Sequence, residues 1–232
     1  MNFLELCKET ARISGVIAGL PSFTTVEGSL NGRIDQLVGF VNSAWVDLQN
    51  ERPDWLWMRK TFDEALIANQ ISYTAANLSL TRVGKWLPDR PGHCTFTLYD
   101  PATGKADEGT LNQIGYDRWR QMYDRGVHDA NRPAYWAAAP DGTLKIGPKP
   151  DKIYNLTGEY RAAPQELASN ADTPEMPEQF HRVIISEAIR LMARSDEAYQ
   201  ALLAENTQYE RLRNALVREQ VPDPDMTGTP LA

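Results

Sequence analysis

Histidine and cysteine are scarce in this chain. Three histidines and two cysteines occur in 232 residues, none spaced as His-x-x-x-His or Cys-x-x-Cys, the patterns that bring two ligands to one metal. His93 and Cys94 are adjacent, and neighbours in an extended strand point to opposite faces, so no metal site is expected. Cys7 and Cys94 are far apart and are expected as reduced, buried thiols. A phosphate-cradling loop is missing as well: the glycines at 15 and 19, and at 28 and 32, lack the lysine and flanking strand. No serine sits in a Gly-x-Ser-x-Gly elbow. No cofactor is expected. No apolar run approaches the ~20 residues of a membrane helix. The start, MNFLELCKETARISG, has neither the cationic end nor the apolar block of a signal peptide. A soluble protein, made in a cytoplasm and free of membrane, is the expectation. Positive charge is also short, with 24 Lys and Arg against 31 Asp and Glu, a net −7 and a pI near 5.1. That balance argues against a general nucleic-acid binder, which draws most of its affinity from neutralising phosphates.

What is plentiful is carboxylate and aromatic. Asp63 with Glu64, Asp107 with Glu108 and Asp223 with Asp225 are adjacent or near pairs. A glycosidase needs two carboxyl groups facing across a cleft, whereas these fall in loops or on solvated edges, so no catalytic residue is assigned. Six tryptophans, at 45, 55, 57, 86, 119 and 136, could stack sugars. Packing or subunit contact is the preferred reading, because each ring covers a large area with few rotatable bonds.

Apolar spacing divides the chain. Phe3, Leu6, Cys7 and Thr10 predict a helix over 3–14. Leu30, Ile34, Leu37, Val38, Val41, Trp45 and Leu48 recur at three- and four-residue steps and predict a second over 30–51, stopped by Pro53. From Trp55 the period shortens. Strands joined by a tight turn at Asn69-Gln70 are expected, then short strands in LSLTRVGKWL and CTFTLYD, and a polar loop over 101–109. Tyr116, Trp119, Met122 and Tyr123 mark a short helix. Strands follow near 134–139, 143–147 and 153–161, with a turn at Pro140-Asp141-Gly142. Phe180, Val183, Ile184, Ala188, Leu191 and Met192 then form one helical face, and Tyr199 to Leu216 another, with a kink or fresh cap at Ser195-Asp196. The fold class expected is α+β: a helical domain from the two chain ends (1–56 and 174–220), an inserted antiparallel β-sandwich or barrel-like module (57–173), and an extended tail (221–232). The two longest helical stripes, over 30–51 and 178–194, are expected to cover each other. The last helix mixes Arg211, Arg213 and Arg218 with Glu205, Glu210 and Glu219, which serves as a solvated face or as one wall of an oligomer.

Several segments, in order, carry a resemblance. MNFLELCKE leads to VNSAWVDLQNERPDWLWMR, then GYDRWRQMY, RPAYWAAAPDGTLKIGPKPDKIYNLTGEYRAAP and DTPEMPEQFHRVIISEAI. From residue 1 to about 215 the chain resembles the head-to-tail adaptor, or connector, proteins of tailed bacteriophages. The resemblance implies a structural virion protein, not an enzyme, in a ring of usually twelve copies beneath the portal. Such a ring extends the DNA channel, without sequence-specific DNA binding, and offers a platform to the next tail component (nozzle, stopper or tail terminator). Family contacts are surfaces rather than a residue signature. Candidates for subunit, portal or tail contact here are Trp86, Trp136, Tyr209, Arg211, Arg213, Arg218, Val221 and Met226. The other reading carried forward is a carbohydrate-binding tail module using the tryptophans.

Overall fold

The computed structural model describes residues 1–15, 23–28, 30, 32–89 and 94–222, except for the side chains of 199 and 201–204. The chain divides into two compact units, residues 1–57 with 164–232 and residues 58–163.

The first unit is helical. Helix α1 (Phe3–Ser14) begins on a reciprocal cap: the Glu5 N–H donates to the Asn2 side chain and the Asn2 N–H to the Glu5 carboxylate, which satisfies two otherwise orphaned donors. Gly15 ends it in the left-handed region, at φ 65°. Helix α2 (Gly32–Glu51) buries Leu37, Val41, Ala44, Trp45 and Leu48, the three- and four-residue spacing read from the sequence. Helix α4 (His181–Ser195) packs against α1, α2 and the last helix, α5 (Tyr199–Gln220); the short α3 (Tyr116–Trp119) belongs to the other unit. The expected break at Ser195-Asp196 is present. Ala198 N–H closes back on the Ala193 carbonyl at 2.8 Å, with Glu197 at φ 55°. As the central helix, α4 is buried nearly all round. Ile185, Ser186 and Ile189 are covered as well as Val183, Ile184, Ala188 and Met192, so the single predicted face understates it. Trp55 stacks on Trp57, centroids 4.4 Å apart, and its indole N–H donates to the Leu48 carbonyl.

Residues 164–173, expected with the β-rich part, group instead with the helices. The reason is local hydrogen bonding: Gln49 bonds both backbone groups of Gln165, Asn42 accepts from Leu167, and Phe3 and Leu4 donate to the carbonyls of Asp172 and Asn170.

The second unit is a curled, mixed eight-stranded sheet. Its strands are β1 (Arg59–Ala65), β2 (Ser72–Tyr73), β3 (Val83–Trp86), β4 (Phe96–Tyr99), β5 (Gly109–Gln113), β6 (Tyr135–Ala138), β7 (Leu144–Gly147) and β8 (Asn155–Ala162). Helix α3 (Tyr116–Trp119) and a wider turn over Arg120–Asp124 join β5 to β6. The order is β1-β8-β4-β5-β6-β7-β2, with β3 beside β4 on the same edge of β8. Three expectations change. The strands flanking Asn69-Gln70 do not pair with each other; β1 pairs with β8 and β2 with β7. The turn itself is real, with Asn69 at φ 64°. Strand β5 was not anticipated, and it pairs with β6 in parallel, which its long helical crossover permits and a hairpin would not.

Strand β8 alternates half-buried and buried residues along its whole length, as expected when one face meets a core. Phe62, Trp86, Phe96, Trp136 and Tyr160 fill that core, Phe96 and Trp136 with centroids 4.2 Å apart. Gly158 lies beneath two of these rings. A Cβ built there would sit 2.6 Å from Phe96 and 2.8 Å from Phe62, so only glycine fits.

Candidate contact surfaces

The tryptophans settle one question. Trp86 and Trp136, expected at a contact surface, are 3% and 0% exposed. Trp86 further donates its indole N–H to the Gly142 carbonyl at 2.8 Å, tying the Pro140–Gly142 turn to the core. Both are therefore corrected from interface to core. Trp45, Trp55, Trp57 and Trp119 are buried as well, so no tryptophan offers the open ring face that sugar stacking requires.

Helix α5 holds most of the other candidates, and their settings differ. Tyr209 is half-buried under the Arg190 guanidinium, 4.1 Å from ring centre, and burial pushes its hydroxyl up to about 12. Arg190 also donates to Asn206 and pairs with Glu187. Arg213 pairs with Glu51, so it braces α5 against α2. Arg211 and Arg218 are exposed, and among the described residues Arg218 hydrogen-bonds only within its own helix, at the Asn214 carbonyl. Val221 is half-buried just past the helix; Met226 lies outside the described residues.

The carboxylates are tied into structure. Arg132 donates to both Asp107 oxygens at 2.8 Å and on to the carbonyls of Asp107 and Leu98. That guanidinium holds the Asp107 carboxyl below its ordinary range, the opposite of what a catalytic acid needs. Asp63 accepts from the Tyr99 hydroxyl and the Asn155 amide, and this carboxylate raises the Tyr99 hydroxyl's pKa. Asp63 and Glu159 line an open cleft of about 470 Å³ with Thr61, Thr97 and Thr157, but Glu159 is paired with Arg59. Asp223 and Asp225 lie outside the described residues. Among the described residues no cluster of His, Cys, Asp and Glu is placed to hold a metal, and no helix is long and apolar enough to cross a membrane. Burial pushes the Cys7 thiol up to about 12; Cys94 is half-buried.

Surface composition differs sharply between the units. The helical unit carries 19 acidic residues against 10 basic, the β-rich unit 12 against 14. Among the described residues the strongly exposed large aliphatics are Leu56, Ile67, Val127 and Ile153, and the last three are in the β-rich unit. Sequence reading missed them. The available signal was position, because each lies outside the regular strands, in a turn or loop where no sheet face can claim it.

The six tryptophans of this α+β protein are buried, and Asp63, Asp107 and Glu159 are held by hydrogen bonds or ion pairs. The chain belongs to the SU10 adaptor protein family, whose model matches residues 1–231, and is a bacteriophage adaptor protein, a structural part of the virion. No curated protein matches it.

Proposed function

We propose that the protein assembles into a ring of about twelve copies at the head–tail junction. The ring joins the portal to the next tail component, a nozzle, stopper or tail terminator, and extends the DNA channel. Assembly takes place in the host cytoplasm. The observation that carries this reading is the adaptor family match over residues 1–231. The architecture is in keeping with it: the two ends of the chain group into one helical unit, and the β-rich unit is inserted between them in sequence. The net charge of −7 per copy disfavours adhesion of DNA to a channel wall, because like charges repel and few cations are left to neutralise phosphates. A native mass measurement, with and without portal protein, tests it. One discrete ring species is expected; single copies at every concentration, with no binding to portal, would overturn it.

A further inference from the structure

Strand β1 ends one side of the curled sheet. It pairs with β8 along all seven of its residues, Arg59–Ala65, and among the described residues no strand lies on its other side. The register fixes which backbone groups face that open edge. The Leu66 N–H donates to the Tyr154 carbonyl at 2.7 Å. Glu64, Phe62 and Lys60 therefore exchange hydrogen bonds with β8 in turn, and Arg59, Thr61, Asp63 and Ala65 direct their N–H and C=O groups outward. The Leu87 N–H, donating to the Glu159 carbonyl from the opposite edge of β8, fits the same parity. Natural proteins guard a free edge with charged side chains. Here the two charges of the outward set are engaged across the sheet instead. Arg59 is paired with Glu159 on β8, and Asp63 accepts from the Tyr99 hydroxyl and the Asn155 amide. The other two outward residues, Thr61 and Ala65, are exposed and uncharged.

We propose that this edge pairs with the β1 edge of a second copy, antiparallel across a two-fold axis, in chains that have not entered a ring. An added strand draws affinity from main-chain hydrogen bonds and specificity from the side chains that alternate along it. The order of charges in β1 selects the occupant, because Arg59 and Lys60 lead and Asp63 and Glu64 follow. Antiparallel self-pairing centred on Phe62 sets Lys60 opposite Glu64 at both ends, whereas a parallel copy in register sets like charges opposite each other. The same register keeps outward residues opposite outward ones, Thr61 with Asp63 and Arg59 with Ala65, as hydrogen-bonded pairs require. The contact uses one patch on both copies and closes on itself, so it stands apart from the ring reading and describes the free chain. One added strand of about 23 Å falls short of the ~1,200 Å² of a stable interface. A reversible dimer is therefore expected, not an obligate one.

The test follows the mass of the full chain by sedimentation over a range of concentrations, without portal protein. A monomer–dimer equilibrium is expected. Thr61→Pro removes an outward N–H and leaves the β8 ladder intact. It should raise the dimer dissociation constant about 10- to 100-fold, since symmetry removes two hydrogen bonds, with unchanged circular dichroism. Lys60→Glu and Glu64→Lys each put like charges opposite and should weaken the dimer. Their mixture restores opposite charges at both ends and should pair at least about 10-fold more tightly than either variant alone. That exchange carries the test if the proline variant misfolds. Wild-type chains that stay single at every concentration, or pass directly to rings, overturn the edge pairing. So do dimers indifferent to Thr61→Pro, or a mixture no tighter than its components.

Discussion

The helical and β-rich units bury apolar surface in different ways, and the difference sorts what each leaves outside. The helical unit surrounds α4 with three other helices, so its apolar residues are consumed on all sides and its surface is charged, with a large acidic excess. The β-rich unit has one curled sheet with a single aromatic interior. It carries near-balanced charge and leaves three aliphatics, Ile67, Val127 and Ile153, exposed outside its strands. Alternation along β8 shows that this sheet commits one face to its core, while its turns and loops are free to display side chains.

If both interiors are true cores, removing a central ring should cost each unit alike. Trp136→Ala and Trp45→Ala are each expected to lose about 3–5 kcal/mol, read from denaturant midpoints. A loss under about 1 kcal/mol for Trp136 would mean the sheet interior is no core. The next largest effect sharpens the β-rich side. Gly158→Ala forces a methyl against Phe96 and Phe62 and should destabilise by about 1–3 kcal/mol, while alanine at Gly39, where a Cβ would meet nothing within 4 Å, should stabilise α2 slightly.

A pH titration should separate the units further. His181 is buried in the helical unit, between the Met176 carbonyl at 3.2 Å and the Met1 ammonium at 3.1 Å, with Glu178 beside them. Burial chiefly lowers its pKa below the usual 6.5. The unfolded chain then takes up the proton first as pH falls. The contribution is whole above about 6.5 and is lost on the way down to the folded pKa, by at most about 1.4 kcal/mol per pH unit. Urea midpoints between pH 7 and 5 should show this slope, and His181→Gln should flatten it. An unchanged slope would remove histidine as its cause. The smallest effect is expected at Arg218. Among the described residues its exposed side chain hydrogen-bonds only within its own helix, so Arg218→Ala should shift stability by no more than about 0.5 kcal/mol.

Much of the helical unit was legible. The stripe from Leu37 to Leu48, the stop before Pro53 and the break at Ser195-Asp196 are all local signals. Alternation likewise located β6, β7 and β8. Legibility failed where the answer lay in a distant partner: β1 and β2 adjoin in sequence but pair with β8 and β7. Leu111 alone gave too little alternation to reveal β5. For the contact surface, tryptophan content pointed to the wrong residues. A large aromatic signals burial somewhere, and whether that is inside one copy or between two is not written in its neighbours.

By itself the sequence determined the periodicities, the caps, the acidic balance and the ordered segments that mark an adaptor, because these depend on residues within a few positions of one another. Tertiary structure decided which strands pair, that α4 is covered nearly all round, that Trp86 and Trp136 face inward, and that Ile67, Val127 and Ile153 face out. Those outcomes come from competition among distant segments for a limited interior, and only the folded chain resolves it.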